Sequence, residues 1–141
     1  MAGFEHYAWL MKSEPSEVSV DDVLQMDGCK VGWFGVRNYQ ARNFMRDLCK
    51  IGDPVLFYHS SCAQPGIVGI GEIASEPYPD PTQFEETSGY FDAKSTQEKP
   101  RWVQVDVRVL HKVRLVSIAE LRTIPGCALK QYTLKRIPSP L

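Results

Sequence analysis

The chain has 141 residues, 43% of them hydrophobic and 11% aromatic, the size and composition of one folded domain. Lys and Arg number 16 against 17 Asp and Glu, a net charge of −1. This balance excludes nucleic-acid binding through bulk positive charge and leaves only a local patch beside a shaped pocket. No run approaches the ~20 apolar residues of a membrane span, and residues 1–6 lack the basic-then-apolar pattern of a secretion signal. A cytoplasmic or nuclear, monomeric protein without a membrane partner is expected. Cys29, Cys49, Cys62 and Cys127 form no CxxC pair, so free thiols are expected, with no zinc site and no other metal or cofactor.

In chain order, Tyr7–Met11 is a short β-prone apolar run closed by Ser13-Glu14-Pro15. Ser19 followed three residues later by Asp22 reads as an N-cap, predicting a helix to about Met26 that stops before Gly28. From Asn38 to Lys50 the pattern is helical: Ala41, Phe44, Met45 and Leu48 define a buried face. Asn38, Arg42 and Arg46 stack at i, i+4, i+8 as a polar and basic stripe. Gly52 ends the helix, and Asp53-Pro54 turns into a strand over Val55–His59.

A second strand runs over Ile67–Ile73, where two internal glycines suggest a bulge, a barrel corner or close backbone approach. Residues 76–100, with prolines at 77, 79, 81 and 100, read as a long loop of the kind that is functional or disordered. Trp102–Val109 alternates, with Val103, Val105, Val107 and Val109 facing one way and Trp102, Gln104, Asp106 and Arg108 the other. That predicts a half-buried antiparallel strand. Ser117 and Glu120 suggest a capping box opening a short helix, and Tyr132–Ile137 a final strand. These elements make an α+β domain around a curved sheet or small barrel.

Five segments carry a family resemblance. Residues 9–15 (WLMKSEP), 35–44 (GVRNYQARNF), 57–60 (FYHS), 65–69 (PGIVG) and 78–82 with 100–102 (YPDPT, PRW) resemble the motifs of EVE domains, in that family's order. The resemblance implies a PUA-like β-barrel fold, related to YTH and ASCH domains, spanning residues 1–141 as one domain. It implies a pocket for a base bearing an extra group: modified cytosine in DNA, or a modified RNA base in related folds. Two departures stand out. Where the family often has an acidic residue, this chain has Phe34. The tail from Arg136 to Leu141 only partly resembles the family's last strand, so a truncated C-terminal closure is expected.

Reading a base outside its stack takes an aromatic surface for its face and polar groups for its edge; stacking is worth about 1–3 kcal/mol per base. The aromatic candidates are Trp9, Trp33, Tyr39 and Tyr58, each of which could instead pack in the core. Asn38 can read a base edge through both amide groups. Lys12, Arg37, Arg42 and Arg46 can meet phosphates or form a solvated face. Ser13, Ser60 and Ser61 can serve the base or cap turns. Glu14 can accept from a base edge or anchor its loop.

His59, near Ser13, Ser60 and Cys62, invites a nucleophile–base drawing. No nucleophile elbow or orienting acid frames it, so a hydrogen-bonded or ligand-reading histidine is expected and no catalytic residue. The pocket is thus assigned to Trp9, Lys12, Ser13, Glu14, Trp33, Asn38, Tyr39, Tyr58, His59 and Ser60. Phosphate contacts fall to Arg37, Arg42 and Arg46, and the resemblance implies DNA as the favoured partner, with modified RNA as the alternative. The three stretches 9–15, the start of the 38–50 helix and 57–62 should converge on it.

Overall fold

The structure, a computed structural model, describes residues 7–123 and 134–138. Its strands are β1 (Tyr7–Ser13), β2 (Lys30–Gly32), β3 (Pro54–His59), β4 (Gly66–Ile73), β5 (Tyr78–Pro79), β6 (Val103–Gln104), β7 (Asp106–Ser117) and β8 (Leu134–Pro138). Its α-helices are α1 (Val20–Gln25), α2 (Tyr39–Asn43) and α3 (Ile118–Arg122). Six strands form a mixed sheet in the order β2-β7-β4-β3-β1-β8, and β5 pairs with β6 apart from it. Tyr132 and Thr133, expected to begin the last strand, and Cys127 lie outside the described residues.

The inner pair, β1 and β3, is parallel, with Lys12 opposite Tyr58 and Ser13 opposite His59. A parallel pair requires a crossover, and α1, β2 and α2 supply it. Because side chains alternate along a strand, this pair feeds two cores. Trp9, Met11, Val55 and Phe57 join one with Val23, Ala41, Met45 and Val107; Ala8, Leu10, Leu56 and Tyr58 join the other with Ile67 and Leu121. Burying one Leu or Phe contributes about 1.5–3 kcal/mol, so a slip by one residue would exchange both cores at once.

Local signals set the helix ends. Ser19 and Asp22 form the reciprocal capping box at α1. Ser117 Oγ accepts from the Glu120 N–H at α3, while the Glu120 carboxylate turns outward to Arg114. After α2 the helix widens into a π-turn over Phe44–Leu48. The widened turn shifts the angular phase, and Leu48, expected in the buried face, is 44% exposed.

The alternating run at 102–109 also departs from expectation. It breaks at Val105 into β6 and β7, and Trp102 and Gln104, expected outside, are each only 5% exposed. The 76–100 loop covers that face: Gln83, fully buried, donates to the carbonyls of Asp80 and Trp102 and accepts from the N–H groups of Arg101 and Trp102.

The glycines of β4 mark close backbone approach at two irregularities in its ladder with β7. A Cβ at Gly71 would drive into the Arg108 carbonyl oxygen, whereas at Gly69 it would meet the Val20 Cγ2 at 3.0 Å. Gly71→Ala should therefore cost about 1–3 kcal/mol of unfolding free energy and Gly69→Ala less, as urea denaturation of the two variants will read.

Candidate functional site

A cleft of about 190 Å³ opens beyond the carboxyl ends of β1 and β3. It is smaller than the ~300–1,000 Å³ of drug-sized sites and matches a single heterocycle. One wall is the end of β1 and the turn after it: Lys12, Ser13, Glu14 and Glu17, with Ser60 beside them. The other is the segment after β2, where Trp33 and Phe34 stand, and Tyr90 closes the mouth. Ser60 N–H donates to the Ser13 carbonyl at 2.9 Å, joining the two strand ends.

The aromatic wall is interlocked. Trp33 meets Phe57 edge-on at 5.2 Å and Phe34 meets Tyr90 edge-on at 5.8 Å. Gly35 makes the latter approach possible. Its φ is +80°, and a Cβ there would lie 2.8 Å from the Tyr90 ring. The Tyr90 hydroxyl donates to both carboxylate oxygens of Glu17, at 2.7 and 2.8 Å. Burial and this carboxylate push the Tyr90 phenol up to about 12, which keeps it a donor.

The loop that carries Tyr90 is held by a fully buried carboxylate. Asp80 accepts from Gly35 N–H (2.8 Å), Arg37 Nη1 (3.0 Å), Thr82 N–H (2.8 Å) and Thr82 Oγ (2.6 Å). Arg37 completes the joint, with Nε and Nη2 donating to the Tyr90 carbonyl and Nη2 also to Thr82 Oγ. Arg37, expected at phosphate, is thereby a strut between segments.

The other expected site residues divide by location. Lys12, Ser13, Glu14, Trp33 and Ser60 line the cleft, with Lys12 Nζ 5.4 Å from the Tyr58 ring centre. Trp9 and Tyr58 do not present a stacking face: they are 3% and 2% exposed, in the two cores on opposite sides of the sheet. The Trp9 indole N–H donates to Asp53 at 3.0 Å. Their motif positions placed them near the site, but strand alternation turned both rings inward.

Asn38 is the N-cap of α2, its Oδ1 accepting from Ala41 N–H. Tyr39 is 51% exposed outside the cleft, stacked on Trp102 at 4.7 Å with the Arg42 guanidinium 4.6 Å from its ring centre. Arg42 also donates to the Arg101 carbonyl. Arg46, past the point where the π-turn breaks the expected stripe, pairs with Asp47.

His59 packs edge-on to Phe57, and its Nε2 accepts from Val20 N–H at 3.1 Å, capping α1 from across the sheet. Ser13 Oγ donates to the Val18 carbonyl at 2.6 Å. The Ser13–His59 pair, opposite in register, thus has both functional atoms committed to other partners, and no nucleophile–base bond forms.

Glu17 and Tyr90 escaped the sequence reading. Glu17 sits in no periodic element, and only the length of the 76–100 loop hinted that Tyr90 had work to do. Phe34 stood out as a departure, without a sign that it walled the cleft.

The curved mixed sheet with short helices is a PUA-like α+β fold. Within that class the chain belongs to the EVE domain family, whose sequence model matches residues 7–139. It is 43% identical to mouse thymocyte nuclear protein 1 over 142 residues, covering 89% of this chain and 62% of that protein. It thus spans about three-fifths of that relative's length. Among solved structures it resembles a Pseudomonas putida protein (TM-score 0.82, 42% identity, covering 94% of this chain and 92% of that one). It also resembles human THYN1 protein in complex with DNA containing 5-methylcytosine (TM-score 0.77, 42% identity, 83% and 74% covered).

Two outcomes test this geometry. Asp80→Ala strands the half-buried Arg37 and the Gly35 N–H, and should lower unfolding free energy by about 3–5 kcal/mol, measured by chemical denaturation. His59 has its pKa held below the ordinary 6.5, mainly by burial. The unfolded chain therefore takes up the proton first, so His59's contribution is complete above the unfolded value of 6.5 and is lost as pH falls through the folded one. Melting temperatures between pH 7.5 and 5 should fall more steeply for the parent than for His59→Gln.

Proposed function

We propose that this domain is a non-enzymatic reader of modified cytosine in DNA, taking the flipped base into the cleft beyond β1 and β3. The observation that carries the reading is the pairing of an aromatic wall (Trp33, Phe34 and Tyr90) with a polar wall (Ser13, Glu14, Glu17 and Ser60) across a one-ring cleft. A flipped base needs that combination, a surface for its face and hydrogen-bonding groups for its edge. The 42% identity to human THYN1 protein, solved with DNA containing 5-methylcytosine, supports the same ligand.

In this reading Lys12 at the cleft and the Tyr39–Arg42 corner outside it meet the DNA backbone, and the protein acts as a monomer. The arrangement favours binding over catalysis, because Ser13 Oγ and His59 Nε2 are each committed to backbone partners.

Titration of matched oligonucleotides, cytosine and 5-methylcytosine, in DNA and RNA, tests the proposal. Modified DNA should bind most tightly. Phe34→Ala, at the half-buried ring of the cleft wall, should cost about 1–3 kcal/mol with modified DNA, with melting curves on the same variant separating lost stacking from lost fold. Arg42→Ala should weaken modified and unmodified DNA alike and flatten the salt dependence by about one unit. Equal affinity for the two DNAs, or tighter binding to modified RNA, would overturn the assignment.

A further inference from the structure

The cleft holds one polar contact that its role as a base pocket does not require. Glu17 and Tyr90 are 73 residues apart in sequence, yet the phenol donates to both oxygens of the carboxylate at the cleft mouth. Glu17 lies on an exposed turn whose backbone is closed by its own N–H donating to the Glu14 carbonyl. A glutamate on such a turn would otherwise sample many rotamers. Tyr90 removes that freedom, and is itself fixed by Gly35 beneath its ring, Phe34 at its edge and Arg37 on its carbonyl.

A carboxylate offers about four lone-pair positions and no donor. With one hydroxyl shared between its oxygens, Glu17 retains acceptor capacity in a cleft it helps to line. Acceptors of this kind match the amino group of cytosine, which donates from N4, and oppose the carbonyl oxygen that thymine carries at the same place. We infer that Glu17 is the specificity-determining acceptor of the cleft, selecting a pyrimidine with an exocyclic amine over one with a carbonyl, and that Tyr90 is its positioning residue. The inference rests on the reading of the cleft as a base pocket. It adds that the edge of the base is read independently of the modification at its ring.

5-Methylcytosine and thymine share the ring methyl and differ along this edge, so together they isolate Glu17. The full chain is titrated with DNA duplexes identical except for cytosine, 5-methylcytosine or thymine placed opposite an abasic position. That placement removes differences in pairing strength from the cost of flipping. The parent should favour 5-methylcytosine over thymine by roughly tenfold. Glu17→Ala should bring that ratio close to one, and Tyr90→Phe, which keeps the ring and loses the hydroxyl, should lower it part of the way. Glu86→Ala, which removes an exposed carboxylate outside the cleft lining, should leave it unchanged.

Glu17 is on an exposed turn, so its variant keeps the fold, and melting curves will check both variants. The inference is overturned if Glu17→Ala retains the parent's ratio, if the parent shows no such ratio, or if Glu14→Ala is the variant that abolishes it. The comparison of 5-methylcytosine with cytosine reports separately on modified-base reading. It can fail while the Glu17-dependent amine preference stands, or hold while that preference fails.

Discussion

The buried carboxylate of Asp80 is the interaction around which the site is assembled. It has no exposed surface, and four donors from two chain segments converge on it. A charge taken out of water is tolerated only when paired and hydrogen-bonded, and such a pair defines an arrangement more than it adds stability. Here the arrangement is the docking of the 78–92 stretch against residues 33–37. Gln83 repeats the logic with a neutral amide, tying that stretch to Trp102, and Asp92 accepts from the Trp102 indole. A loop without long secondary structure is thereby held by polar bonds at several points, and Tyr90 arrives at the cleft on a rigid support.

The parallel pairing of β1 and β3 is the second constraint. It sends two strands out of the same end of the sheet, so Ser13 and Ser60 come together there. The side-chain alternation of the same pair removes Trp9 and Tyr58 from solvent and gives each core an aromatic ring. Motif residues therefore serve two tasks. Some build the platform, and the ones at strand ends face the cleft. His59 belongs to the first group, since its ring nitrogen accepts from the first turn of α1 and locks the crossover onto the sheet.

Aromatic and guanidinium groups extend from the cleft toward α2. Arg37 lies 5.6 Å from the Tyr90 ring centre and 5.4 Å from that of Trp102, and Arg42 lies over Tyr39. Contacts of this kind contribute about 0.5–1 kcal/mol each at exposed sites and more when desolvated. Their larger effect is geometric, because planar groups stacked in series resist sliding. Residues named together in one motif, Arg37, Asn38, Tyr39 and Arg42, end up as strut, cap, exposed ring and clamp. The chemistry of a side chain does not decide its task until its neighbours are known.

The sequence by itself determined what depends on near neighbours in the chain. The α1 capping box, the strand at 66–73 and the α+β class follow from local hydrogen bonding and periodicity, whereas the helix after Asn38 ends at Leu48 with Cys49 as its extended cap, short of the expected Gly52. The sequence also carried the family motifs, and with them Lys12, Ser13, Glu14 and Ser60 near the cleft. Only the tertiary structure decided which motif residues turned inward, because burial of Trp9 or Tyr58 depends on what packs against each face of the sheet. It alone brought Tyr90 to Glu17 and Asp80 to Gly35, contacts separated by 73 and 45 residues. No periodicity encodes such pairs, since each forms when a loop finds donors and acceptors that distant strands have already set in place.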